Sequence, residues 1–182
     1  GTLEITGAAT FTSAKNITLN GVATINNTNT TNASIFSGNF TNGSNLLTIG
    51  GAGNTILSGI IGSGSGGLTI AGTGTVTLAN SNTYTGTTTI DASSTLKLGS
   101  GTTISNSSAV VVNGTLDLAG YSETVGSIAG ASTGLITSTV SGTLVLTAGG
   151  NDSSTTFAGI LEDRAATSLA LVKVGTGQLT LS

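Results

Sequence analysis

Residues 68–99, LTIAGTGTVTLANSNTYTGTTTIDASSTLKLG, contain the pattern that decides the fold. Val76-Thr77-Leu78 is an apolar–polar–apolar triplet, and the same pattern returns 20 residues later as Leu96-Lys97-Leu98. A further 20 residues on stands Leu116-Asp117-Leu118. A second ladder is interleaved with the first: Leu47-Thr48-Ile49, Leu68-Thr69-Ile70, Thr88-Thr89-Ile90 and Val110-Val111-Val112, at spacings of 21, 20 and 22. Leu3-Glu4-Ile5 and Ala23-Thr24-Ile25 show the same step of 20 near the start. Period-2 alternation in short runs is the signature of a half-buried strand.

A repeat near 20 residues with two or three short strands is too short for a propeller blade, and it has no helix to make a leucine-rich repeat. It predicts an all-β fold, a parallel β-helix of about 20 residues per coil. Each coil hydrogen-bonds to those above and below at ~4.8 Å, which gives roughly nine coils and a rod about 43 Å long. Residue i then sits over i+20. Val76, Leu78, Leu96, Leu98, Leu116 and Leu118 form inward columns, and Thr77, Lys97 and Asp117 stack outside. Lys97 and Asp117 become neighbours on adjacent coils. A β-sandwich is the alternative, but it needs no fixed register.

The composition agrees. Gly, Thr, Ser and Asn supply 103 of the 182 residues, and Pro is absent, so nearly every N–H can join a ladder. Thr, Ser, Asn and Gly are poor helix formers, whereas Gly and Asn suit tight corners. Apolar residues are 37% of the chain and arrive in triplets, which argues against disorder. Without Cys or His there is no disulfide, thiol nucleophile, imidazole base or zinc finger. A net charge of −3 from 4 basic and 7 acidic residues excludes a nucleic-acid surface. No run approaches the length of a membrane helix, and the start, Gly1, suggests an excised or mature piece of something longer.

Distant likeness is visible too. Leu68–Ala79 (LTIAGTGTVTLA) aligns with Leu171–Ser182 (LVKVGTGQLTLS), and Ile56–Ile60 aligns with Thr156–Ile160. The two offsets differ by three residues, which places an insertion in Glu162–Thr167. The best repeat copy is 68–99, and 171–182 is a truncated second copy, within a single solenoid segment covering 1–182.

The run Gly72-Thr73-Gly74-Thr75-Val76-Thr77-Leu78, followed by Asn82-Thr83-Tyr84-Thr85-Gly86 and then Thr95-Leu96-Lys97-Leu98-Gly99, resembles the passenger-associated repeat of bacterial autotransporters. Ala79, Asn80-Ser81 and Ser94 depart mildly from that pattern. The resemblance implies a right-handed β-helical stalk, exported through the outer membrane by a barrel outside this chain. It also implies display on, or release from, a bacterial cell surface, with a part in adhesion, aggregation or biofilm formation.

The residues that carry chemistry are few. Glu4, Asp91, Asp117, Glu123, Asp152 and the pair Glu162-Asp163 are the only acids. Glycan-cleaving solenoids place carboxylates on neighbouring coils, where they act as acid and base. Shifting each acid here by 20 residues finds no second acid, and only Glu123 and Asp163, about two turns apart, come near one face. Gly62–Gly67 contains the spacing GxGxxG, but a strand rather than a helix follows, so it reads as a corner. Gly50–Thr55 resembles a calcium nonapeptide with Thr55 where Asp is needed.

Tyr84, Phe36, Phe40 and Phe157 read as core or corner plugs. Nine Asn-x-Ser/Thr sequons, among them Asn16, Asn26, Asn29, Asn32, Asn39 and Asn42, follow from composition. Thr-rich runs raise an ice-binding alternative, although Thr-x-Thr does not recur at one place in every turn. The expected function is a non-enzymatic structural or adhesive stalk, with no catalytic, cofactor or metal residues. Its partners would be further copies, laterally or end to end, or surface and matrix glycans and proteins. An extracellular fibre of end-stacked solenoids is the alternative, and a polysaccharide-active enzyme a more remote one.

Overall fold

The computed structural model describes residues 1–182, and every one of its 22 short strands pairs in parallel. No helix occurs. The chain winds as a β-solenoid with three faces per turn. The first face stacks Thr2–Ile5, Ala23–Asn27, Leu47–Gly50, Leu68–Ile70, Thr88–Ile90, Ala109–Val112 and Ser127–Ala129. It continues through a Gly130–Phe157 bridge to Thr155–Phe157 and Leu179–Leu181. The second is one unbroken sheet of eight strands, from Thr12–Ser13 to Ile160–Leu161. The third opens with Ile17–Thr18 and Phe40–Thr41 and closes with Glu123–Val125, Thr143–Ala148 and Ser168–Lys173. Its middle coils carry no regular strand.

Both interleaved ladders stack as the triplets predict. Leu47 lies over Leu68, Leu68 over Thr88, and Thr88 over Val110. Val76 faces Leu96, and Leu96 faces Leu116. Inward members of each strand merge into one core of 29 buried apolar residues that runs the length of the rod. Phe36, Phe40, Phe157 and Tyr84 are among its largest members, so the aromatic residues are packing groups. Phe11, Phe36 and Phe40 form a tilted stack with centroids 5.4 and 5.9 Å apart.

The period differs from the expected 20. The structure makes about eight turns with a mean step near 22 residues, not nine. Individual steps range from 18 (Ala109 to Ser127) to 27 (Gly130 to Phe157). Strand lengths are constrained by the ladder, whereas corners project into solvent and absorb extra residues, so the excess collects there. At ~4.8 Å per turn the rod is about 38 Å long. The first coil is also re-registered: Leu3 pairs with Ile25 and Ile5 with Asn27, a step of 22. This puts buried Asn27 at an inward position, where its amide donates to the Asn54 carbonyl and its oxygen accepts from the Asn29 N–H.

The two aligned segments occupy different faces. Leu68–Ile70 lies on the first face, but the matching Leu171–Lys173 lies on the third, paired with Leu146–Ala148. Val76–Leu78 lies on the second face and its counterpart Leu179–Leu181 on the first. The likeness is therefore of strand-plus-corner units rather than of whole turns.

Corners are stacked as tightly as faces. Of 93 backbone hydrogen bonds, 50 lie outside the regular strands, many of them joining one corner to the next. Gly59 sits directly over Gly38, and a Cβ on Gly59 would overlap the Gly38 carbonyl. Gly59→Ala therefore forces two coils apart at that corner. A loss of about 1–3 kcal/mol is expected, read as a lower urea midpoint.

Candidate functional site: a groove along the second face

The second face presents its outward side chains in two ranks. One rank runs Thr75, Thr95, Thr115, in direct register. The other runs Ile35, Ile56, Thr77, Lys97, Asp117, Thr137. All of these but Ile35, together with Ala33, Asn54, Thr139 and Arg164, line an open groove of about 560 Å³ along the rod. Alternation places the strand residues of the two ranks, since each stands next to a buried inward residue. Ala33 to Arg164 spans six coil steps, about 29 Å.

Lys97 and Asp117 are the neighbours that the triplets predict, with Nζ 3.8 Å from Oδ2. Asp117, expected as a solvated outer residue, is instead buried. Its carboxylate accepts from the Ala119 and Thr139 N–H groups at 2.9 Å and from the Thr139 hydroxyl at 2.6 Å. It thus ties the corner after its own strand to the next coil, and Lys97 adds only a long, partly solvated ion pair. Lys97→Gln is expected to cost less than about 1 kcal/mol and leave the urea midpoint nearly unmoved.

The remaining acids are scattered, each with a local partner. Glu4 accepts from the Asn26 amide, its neighbour in the corrected register. Asp152 accepts from the Thr176 N–H, a bond that holds its carboxyl below the usual range. Glu162 accepts from the Thr137 hydroxyl, and Asp163 from the Leu169 N–H. Asp91 lies just beyond the strand Thr88–Ile90, with its backbone paired to Ile70 and Ser94. Glu123 and Asp163 do not share a face. Glu123 stacks on Leu146 of the third face, while Asp163 lies in the corner after Ile160–Leu161 of the second. The long late coils, with steps of 24 and 25, shift that register.

Two polar residues, Asn82 of the repeat motif and the candidate acid Glu123, splice the third face, a role that neither the motif nor the acid pattern indicated. Asn82, within the motif Asn82–Gly86, accepts from the Ile61 N–H on one side at 2.7 Å. On the other side it donates to the Thr103 carbonyl at 2.7 Å, and it also reaches the Asn80 carbonyl. Its side-chain amide stands in for a peptide group between coils. One coil further, Glu123 accepts from the Thr103 and Ile104 N–H groups, the Thr103 hydroxyl and the Thr124 N–H. Burial nevertheless pushes its carboxyl above the ordinary range, overriding the bonds from Ile104, Thr124 and Thr103. Tyr84, wholly buried nearby, bonds the Thr88 hydroxyl at 2.7 Å; burial drives its own hydroxyl far above the usual phenol range.

The first coil leaves a second concavity, an apolar mouth of about 280 Å³ among Leu3, Ile17, Leu19, Ile25, Phe40 and Leu47. Gly62–Gly67 forms a corner between the third and first faces, as the missing helix predicts. No helix is long and apolar enough to cross a membrane. The fold defines the chain as a parallel β-solenoid. Comparison with family profiles, curated proteins and solved structures returned no match.

Proposed function

We propose that this chain is a non-enzymatic stalk segment of a secreted or surface-displayed bacterial protein of the autotransporter passenger kind, acting in adhesion, self-association or biofilm formation. The carrying observation is that residues 68–99, which resemble the passenger repeat, wind round the solenoid. Their Asn82 bonds the coil on either side of it, which supports reading the segment as a repeat of the stalk. The stalk extends its side faces from the cell and makes many weak hydroxyl and amide contacts, so attachment relies on multivalency. Purified protein on beads is expected to bind bacterial or host surfaces, or to show dimers and larger species by light scattering. Neither behaviour at any concentration reached would overturn the role.

A second reading, an end-stacked extracellular fibre, draws on the apolar mouth of the first coil and on the exposed Val172 and Leu181 of the last. Unpaired strand edges above an open core are the surface on which a further coil sits, whether from the same chain or another copy. Fibres visible by electron microscopy, and lost on Leu3→Lys, are the result this reading expects. A uniform monomer excludes it.

A further inference from the structure

We propose that the groove on the second face binds a linear polysaccharide bearing carboxylates, laid along the solenoid axis. The inference rests on the adhesive reading above and names what the stalk grips. The groove runs parallel to the axis for about 29 Å, so its occupant is an extended chain rather than a compact ligand. Its coil repeat of ~4.8 Å is comparable to the advance of an extended polysaccharide per sugar, so such a chain passes about one sugar per coil.

The rank Thr75, Thr95, Thr115, with Thr77 beside it, offers at each step a hydroxyl that both donates and accepts. That is the chemistry a sugar hydroxyl matches. The groove has no aromatic lining, so recognition depends on hydrogen bonds and charge rather than on stacking.

The charge of the occupant follows from which ions remain available. Two of the chain's four basic residues, Lys97 and Arg164, line this groove. Arg164 makes no ion pair, and the Lys97 side chain is partly exposed, its ammonium 3.8 Å from its partner. The acids alongside are already engaged. Asp117 is buried under three hydrogen bonds, and Glu162 accepts from Thr137 at the groove's edge. A ligand running along the groove therefore meets hydroxyls and two cations, Lys97 and Arg164, against one lining carboxylate, Asp117, whose oxygens are occupied by N–H and O–H donors. A planar guanidinium is well suited to a carboxylate in such a setting.

Affinity electrophoresis at low salt tests this, with polygalacturonate as the probe and dextran as its neutral counterpart. Polygalacturonate is expected to retard the protein, dextran to leave it free. Lys97→Gln combined with Arg164→Gln should reduce the retardation at least fivefold, while Thr69→Val on the first face should not. Circular dichroism and the urea midpoint confirm that the variants are folded. The proposal is overturned by no retardation, by equal retardation with dextran, by retardation the double variant leaves intact, or by retention on a peptide matrix and not on the polysaccharide. If the double variant loses polygalacturonate yet its beads still bind surfaces, the groove is a glycan site and adhesion has other contacts too. If wild type binds surfaces but no polygalacturonate, the groove fails and the adhesive reading stands.

Discussion

Asn82→Leu is expected to cost about 2–4 kcal/mol, with the urea midpoint falling accordingly. The side chain is nearly the size of Leu, so volume is not the issue. Its amide receives the Ile61 N–H from one coil and donates to the Thr103 carbonyl of another. Removing it orphans the buried Ile61 N–H, at about 1–3 kcal/mol, and leaves the Thr103 carbonyl with only the Asn82 backbone N–H, at 3.2 Å. The Asn80 carbonyl loses a partner as well. Asn82→Asp tests the same idea, because a carboxylate still accepts from Ile61 but faces the Thr103 carbonyl with no proton to give. It should fall between wild type and Leu. A Leu variant as stable as wild type would show that the splice is dispensable. In a solenoid each coil touches only its neighbours, so the loss should appear as enhanced hydrogen exchange in the coils around residues 61–103 before it spreads.

Glu123→Leu is expected to lose about 3–5 kcal/mol, because it strands the N–H groups of Thr103 and Ile104 and frees the Thr103 hydroxyl. Glu123→Gln should recover part of this, since one amide oxygen can serve Thr103 and Ile104 while the NH₂ opposes the Thr124 N–H. The pH dependence has a definite sign. Burial holds the folded-state proton more tightly than the unfolded chain does. Stability from this group is thus fully present below the ordinary glutamate range and is lost as pH rises through the raised folded value. The midpoint difference between wild type and Glu123→Gln should accordingly be more favourable to wild type at about pH 4 than at about pH 7. A difference that grows with pH would mean that the hydrogen bonds outweigh burial.

The parts of the fold visible in the sequence are those where all but a few core positions are apolar. From Leu47 to Leu118 each inward residue on the first two faces is Leu, Ile, Val or Thr, and coil steps stay between 20 and 22, so the columns align by inspection. The first coil misleads for the opposite reason. Its true register places Asn27 inward beneath a satisfied amide network, and an Asn at that position reads as surface. The third face is hidden for the same cause, because Asn82, Thr103 and Glu123 hold positions a strand would fill with apolar side chains. Polar groups whose hydrogen bonds come from another coil carry no local signal. The groove was half legible. The triplets place Lys97 over Asp117, but that corner residues such as Thr139 and Arg164 rise beside them depends on corner lengths that alternation does not encode.

The displacement by one face between residues 68–79 and 171–182 bears on how such a chain can lengthen. If a segment with one spelling folds equally well on any side of the triangle, the quantum of growth is a single edge with its bend, not a full circuit. Duplication or loss of such an edge rotates everything downstream by a third of a revolution and still leaves apolar residues pointing at the axis. Only the side-chain splices resist that rotation, and they would then act as the fixed points that keep one lineage's grooves on one side of its rod.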